Sequence, residues 1–219
     1  MSKKIQYGIK RCFDILFSLL MLICSSPFVL IAMAVIKICS PESPVIFKQP
    51  RIGLNGRVFT IYKLRSMTNK RDQNGELLPD DMRLKLWGKI IRKTNLDEIP
   101  QVFNVLIGDM SLIGPRPVLP VDVEKFNEAQ RHRHDILPGI SGWEAVNEKH
   151  VHSWEDKMRF DLYYVDHFSL LLDLKIFFMT IFVIFSVRRP DESQRPARFT
   201  DADSQPKTAE EQTKQPVNV

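Results

Sequence analysis

Cysteine is scarce in this chain and carries no framework. Cys12, Cys24 and Cys39 lie in or beside one apolar run and lack C-x-x-C spacing, which excludes a dithiol redox centre and the usual thiolate metal sites. They read as small apolar side chains in a reducing compartment. Nucleic-acid signatures are also missing: no recognition helix, zinc finger or aromatic-basic RNA motif is present, so nucleic acid is not an expected partner despite a formal charge of +5. No nucleophile elbow marks a serine or cysteine enzyme. With 219 residues there is room for one domain of ordinary size, roughly 100 to 200 residues, and little for a second.

What the chain does have is apolar residues, 44% of the total, gathered near Ile15 to Ile36 and Phe168 to Val187. The tail from Pro190 holds four of the 31 Lys/Arg and six of the 26 Asp/Glu, so the body before it carries +7. A basic body suits anionic lipids or phosphates. The tail, rich in Pro, Gln, Thr, Asp and Glu, is expected to be disordered and dispensable for chemistry.

The first run holds twenty-two residues without a charge, enough helix to span about 30 Å of hydrocarbon. Its length and the lack of a small-x-small site before Lys37 disfavour a secretory signal. Ser26-Pro27 sits in the middle, where proline removes a backbone donor and clashes with the preceding turn, so a kink is expected. Lys3, Lys4, Lys10 and Arg11 precede the run and Lys37, Lys48, Arg51 and Arg57 follow it, which gives no orientation under the positive-inside rule. A re-entrant helix that dips into one leaflet and returns satisfies both features; a kinked span is the alternative. Asp14, near the entry, is expected to pair with Lys10 or Arg11 or to sit at headgroup level. In the second run Asp173 and Lys175 leave only Ile176 to Val187 uncharged, too short to span. An interfacial helix results, with Phe177, Phe178, Ile181, Phe182 and Phe185 as its apolar face and Arg188 and Arg189 for anionic headgroups.

Between the two runs, Pro44 to Lys48 and Arg57 to Leu64 flank Gly53-Leu54-Asn55-Gly56 and predict a hairpin. A polar turn falls at Asp72 to Gly75, and Leu84, Trp87 and Ile91 give a helix from Met82 to Lys93 a core stripe. Ile99, Phe103, Leu106 and Ile107 predict a further helix with a shared face, stopped by Gly108. Its start decides how Asp97 and Glu98 are read. If Asn95 capped the helix, Glu98 would complete a capping box and neither acid would need another role. Pro100 speaks for a later start, since proline prefers the first helical position and Ile99 before it avoids helical geometry. The acids then lie outside the helix, exposed, near the positive end of its dipole, where phosphate is also favoured.

Cations gather around them: Lys63 and Arg65 after the second strand, Arg92 and Lys93 upstream, and Arg116 within Gly114-Pro115-Arg116-Pro117, whose prolines hold the backbone ready. An aspartate can attack phosphorus, splitting one hard transfer into two easier ones. Magnesium held by that carboxylate and a substrate diphosphate would neutralise charge on the leaving phosphate. His132, His134, His150 and His152 form two H-x-H pairs without a further ligand at a recognised zinc spacing, and read as solvated or interfacial histidines.

Taken in order, Lys10-Arg11-x-Phe13-Asp14, Ser26-Pro27, Phe59-x-Ile61-Tyr62-Lys63, Arg92-Lys93-x-x-Leu96-Asp97-Glu98, Gly108-Asp109-Met110-Ser111, Gly114-Pro115-Arg116-Pro117, Pro138-Gly139-Ile140-Ser141-Gly142-Trp143 and Tyr163-Tyr164-Val165 resemble the bacterial sugar transferases, specifically the small monotopic phosphoglycosyl transferases. The resemblance runs from about Lys10 to Val187 and implies transfer of a sugar 1-phosphate from a UDP-sugar to undecaprenyl phosphate with release of UMP. It further implies a ping-pong route with Asp97 as nucleophile and magnesium ligand. Glu98 would assist as base or by organising the magnesium, and Arg92 and Arg116 would hold phosphate or nucleotide. Where relatives often read Gly-Trp-Ala-Gln-Val-Asn-Gly-Arg, this chain has Gly142-Trp143-Glu144-Ala145-Val146-Asn147-Glu148-Lys149, and Leu137 stands where a cation is common.

The expected architecture is therefore α+β and helix-rich: a re-entrant membrane helix over residues 1–40, a catalytic domain over 41–189 on the cytoplasmic face of the inner membrane, closed by an interfacial amphipathic helix, and a tail over 190–219. The expected site comprises Asp97 and Glu98 with Lys63, Arg65, Arg92 and Arg116, the helix break is Ser26 and Pro27, and the cofactor is Mg2+. Partners are a UDP-sugar, undecaprenyl phosphate, membrane lipid and downstream glycosyltransferases. A non-enzymatic membrane adaptor and an aspartyl phosphatase are the competing readings, the second lacking the D-x-D pattern at Asp97.

Overall fold

The computed structural model describes residues 2–185. The expectations for the Phe185 side chain, for Val187, Arg188 and Arg189 and for the tail over 190–219 lie outside the described residues. In chain order, α1 (Lys3–Cys39) precedes β1 (Ile46–Ile52) and β2 (Val58–Leu64), then α2 (Asp80–Arg83), α3 (Leu86–Lys93) and α4 (Gln101–Ile107). There follow β3 (Ser111–Ile113), α5 (Pro120–Val123), α6 (Glu128–Arg131), β4 (Gly139–Ser141), α7 (Trp143–Val146), α8 (Trp154–Asp166) and α9 (Leu170–Phe185). The architecture is mixed and helix-rich, as expected, with the small sheets β1–β2 (antiparallel) and β3–β4 (parallel).

The hairpin turns where Asn55 (φ 54°) and Gly56 (φ 74°) supply left-handed backbone. Its first strand runs past Lys48 to Ile52, because Pro50 opposite Thr60 costs only an edge donor. The helix expected from Met82 to Lys93 is two helices. Leu84 is extended (φ −81°, ψ 92°), where Arg83 is pinned to Thr68 by an N–H···O bond in each direction, 3.2 and 3.0 Å. The stripe through Trp87 and Ile91 does face inward, against Ala32, Ile36 and Leu64.

α1 is one uninterrupted helix of 37 residues with Pro27 inside it, long and apolar enough to cross a membrane. Proline deprives the Ile23 carbonyl of its backbone donor, and the Ser26 hydroxyl replaces it at 2.9 Å. The Ser25 hydroxyl adds a second donor to Met21 O at 2.6 Å. Both ends of α1 dock on the folded body. At one end Lys10 donates to Asp173 (2.7 Å) and to Ile113 O (2.9 Å), and Asp14 accepts from Ser111 Oγ and Leu112 N, both 3.0 Å. Asp14 thus hydrogen-bonds the start of β3, while Lys10, whose ammonium is bonded to Asp173 on α9, is the nearest cation acting on it. Arg11 donates to Val105 O and Leu106 O, capping α4 where Gly108 (φ 96°) ends it. At the other end Ala32 and Ile36 are buried against Leu64 and Ile91. Between them Leu16, Leu20, Ile23, Phe28 and Ile31 are exposed.

α4 is rotated from the expected face. Val102 and Val105 are fully buried, whereas Phe103 is 53% and Ile107 67% exposed. The polar residue Asn104 causes this: its side chain accepts from Tyr62 N (3.2 Å) and donates to Thr60 O (2.7 Å), completing the outer edge of β2. A buried Asn meeting both backbone groups fixes the helix's rotation, and Phe103 and Ile107 turn outward.

Candidate active site

Asp97 and Glu98 occupy a 3-10 turn, Leu96–Glu98, between α3 and α4. Asn95 is left-handed (φ 56°) and makes no capping bond, so the capping-box reading falls. Pro100 is the N-cap of α4, one residue before the expected position. The acids are half-buried rather than exposed, because β2, α1 and α3 pack around the turn.

Glu98 is clamped. Its Oε1 accepts from Lys63 Nζ at 2.8 Å and from an Arg116 Nη at 2.7 Å. Each donor has a rigid mount. Lys63 stands on β2 opposite Phe47. Around Arg116 four successive carbonyls are each given a donor: Pro115 O by Gly139 N (2.9 Å), Arg116 O by Arg133 (2.8 Å), Pro117 O by Arg51 (3.2 Å) and Val118 O by Ile52 N (3.0 Å). Gly139 permits the crossing, since a Cβ there would lie 2.1 Å from Gly114 N.

By contrast, the Asp97 carboxylate makes no hydrogen bond to another residue among the described residues, and its electrostatics differ from its neighbour's. Burial, reinforced by the Glu98 charge, raises Asp97 to about 6, against the pull of Lys63 and Arg92. Burial acts on Glu98 in the same direction, but Arg116 and Lys63 overcome it and hold Glu98 well below the usual carboxylate range. Glu98 in turn raises Arg116. Burial lowers the Lys63 ammonium, with Glu98 opposing. Two adjacent acids are thereby separated in function: one available and more basic than usual, one locked as a counter-ion.

Of the other expected cations, Arg92 donates through Nε to Ser66 Oγ at 2.9 Å and faces Asp97. Arg65 is not brought to the acids. It donates to Pro44 O and Asn69 Oδ1, both 2.6 Å, over the Phe47 ring, bracing the base of the hairpin. Arg51, counted from the sequence as a membrane flank, instead faces Arg116, Asp122 and Glu98; burial lowers it to about 10, and Arg116 adds to the effect. Arginine in a strand carries no sequence signal for such a place. His132 is bridged between Asp135 (2.7 Å) and Asp166 (3.1 Å), while His134 is buried against Phe126. Among the described residues no three His, Cys, Asp or Glu side chains converge to hold a metal ion.

An available, basic carboxylate framed by rigid cations is the equipment of a phosphoryl-transferring enzyme. The family model for bacterial sugar transferases matches residues 5–187, and the chain belongs to that family. Within it, the chain is 47% identical over 173 residues to an uncharacterized sugar transferase, EpsL, of Bacillus subtilis (strain 168), covering 79% of this chain and 85% of that one. It is 44% identical over 186 residues to the UDP-N-acetylgalactosamine-undecaprenyl-phosphate N-acetylgalactosaminephosphotransferase of Aeromonas hydrophila, covering 81% of this chain and 44% of that enzyme. With the UDP-glucose:undecaprenyl-phosphate glucose-1-phosphate transferase of Klebsiella pneumoniae it shares 38% over 183 residues, 79% of this chain and 39% of that one. The chain thus spans less than half the length of these last two relatives. It is an enzyme of the transferase class.

Proposed function

We propose that this chain moves a sugar 1-phosphate from a UDP-sugar to undecaprenyl phosphate, releasing UMP, as the first membrane-bound step of surface-glycan assembly. The contrast between Asp97 and Glu98 carries this reading. A carboxylate oxygen of Asp97 attacks the β-phosphorus; the bond from that phosphorus to the bridging oxygen breaks, and UMP leaves with the electron pair. A phosphate oxygen of undecaprenyl phosphate then attacks the same phosphorus and restores the free carboxylate. Raising Asp97 toward neutrality increases its nucleophilicity while leaving it largely ionised at pH 7. Glu98, held far below the usual range, is a poor base; its part is to aim Lys63 and Arg116 at the phosphates.

Asp97 fits the magnesium expected from the resemblance, because its carboxylate is unclaimed by other residues and the donor's diphosphate supplies the remaining oxygens such an ion takes. Bound there, the ion would neutralise charge on the diphosphate.

The surface supports a place at the membrane. α1 docks at both ends on one body and exposes its apolar middle, which supports a helix that enters one leaflet and returns. Leu86 and Ile90 on α3, Phe103 and Ile107 on α4, and Leu171, Phe178 and Phe182 on α9 are exposed apolar residues of the helices around it. The active site then lies at the cytoplasmic face of the inner membrane, within reach of a lipid-borne acceptor and of the glycosyltransferases that extend its product. The test is a purified Asp97→Asn chain given UDP-sugars, magnesium and undecaprenyl phosphate: UMP release is expected to vanish. Turnover by that variant would sink the reading, and EDTA is expected to stop the unsubstituted chain until magnesium is returned.

A further inference from the structure

Asp14 is a carboxylate on the apolar helix α1, buried to 4% exposure, and both groups it accepts from belong to β3: Ser111 Oγ and Leu112 N, each at 3.0 Å. The four successive amides that open this segment are satisfied one by one. Ser111 N donates to Pro138 O (2.8 Å), Leu112 N to Asp14, Ile113 N to Ser111 Oγ (3.3 Å) and Gly114 N to Ser141 O (2.9 Å). Asp14 thus holds one of them directly and fixes the hydroxyl that takes another. One turn earlier on α1, Lys10 Nζ donates to Ile113 O at 2.9 Å. β3 ends at Ile113, three residues before Arg116. Between them Gly139 N donates to Pro115 O at 2.9 Å, and a Cβ on Gly114 would lie 2.3 Å from Leu137 O. A shift of β3 therefore cannot be absorbed on the way, and it reaches the guanidinium that donates to Glu98 at 2.7 Å. The other wall of the site rests on the same stretch of α1: Arg11 donates to Val105 O (2.5 Å) and Leu106 O (2.8 Å) at the end of α4, the helix that follows Asp97 and Glu98.

We propose that Asp14 is a positioning residue for Arg116, setting through β3 how the guanidinium meets Glu98 and the donor's phosphates. This rests on the donor reading above. A carboxylate buried on an apolar helix is unfavourable unless its bonds compensate. Attachment of α1 to the body is already provided by the Lys10–Asp173 pair and by Ala32 and Ile36. Both bonds of Asp14 go instead to the strand that leads to Arg116. The helix is then a working part of the active site as well as an anchor.

The test follows UMP release from excess UDP-sugar without acceptor, where the amplitude of the burst counts active molecules and its rate constant reports the chemistry in each of them. Asp14→Ala in the full chain is expected to lower the rate constant about 10- to 100-fold with the amplitude kept, as misplacing a phosphate-binding group by about 1 Å does. Ser111→Ala removes one of the two bonds and should lower it about threefold, whereas Asp14→Asn keeps the acceptor oxygen and should stay within about twofold. Added to Arg116→Ala, Asp14→Ala should lower the rate constant by less than about twofold, because the side chain it acts through is already gone. Should Asp14→Ala not fold, Ser111→Ala with and without Arg116→Ala carries the same comparison. A loss of amplitude at an unchanged rate constant would reduce Asp14 to a docking contact, and so would an equal fold loss with and without the Arg116 side chain. If the unsubstituted chain itself gives no burst, the donor reading falls and this proposal with it.

Discussion

Below pH 6 Asp97 is largely protonated and cannot attack phosphorus, so the rate of the donor half-reaction should climb as pH rises through about 6 and level off above it. UMP release against pH in the absence of acceptor measures this directly. Glu98→Gln removes the like charge that helps raise Asp97, so the rising limb should move to lower pH. Its plateau should drop because Lys63 and Arg116 lose their clamp. An acid limb that stayed in place would show that Glu98 does not set the basicity of Asp97. At this scale the sequence was informative about composition and less so about environment. Lys63, Arg92 and Arg116 were legible as cations near the acids because they sit in short local patterns. The half-burial of the acids and the arrival of Arg51 were not, since both arise from β2, α1 and the strand bridge Ile52 to Val118 closing around the turn.

Among the elements, α1 and α4 are the informative pair. Ser26-Pro27 was read as a kink; the helix runs through it unbroken, with the Ser26 hydroxyl supplying the one carbonyl, Ile23 O, that the proline strands. Labelling of single cysteines at Ser2 and at Asn69, in a chain without Cys12, Cys24 and Cys39, should occur from one side of the membrane; labelling from opposite sides would refute the re-entrant path. For α4 the apolar spacing was legible but its direction was not, because the deciding residue was Asn104, a polar side chain that periodicity ignores. Its outward face has a consequence for lipid. Phe103→Ser with Ile107→Ser should weaken binding to vesicles, each lost side chain accounting for up to about 1.5 to 3 kcal/mol, while activity in detergent is largely kept. Unaltered vesicle binding would mean that α4 faces water.

Across the whole molecule, distant segments are joined by buried polar links. Arg133 and Asp161, each 1% exposed, tie the loop before β4 to α8 and hold the Arg116 carbonyl in the same contact. Asp161→Ala leaves a buried guanidinium unpaired and should cost about 3 to 5 kcal/mol of stability, read as a lowered midpoint of denaturation; a loss under about 1 kcal/mol would place the pair with solvated surface bridges. Lys10 and Asp173 join the first helix to the last in a similar way. The hairpin and the stop at Gly108 could be read from sequence because turn chemistry is local. These ion pairs could not, as their partners lie 28 and 163 residues apart. The claim on which the account turns is that Asp97 carries the sugar phosphate covalently. Intact mass measured after incubation with UDP-sugar and magnesium, without acceptor, should rise by one sugar phosphate on Asp97 and return to the original value when undecaprenyl phosphate is added. UMP release that needs the acceptor from the outset, with no added mass at any time, would contradict it.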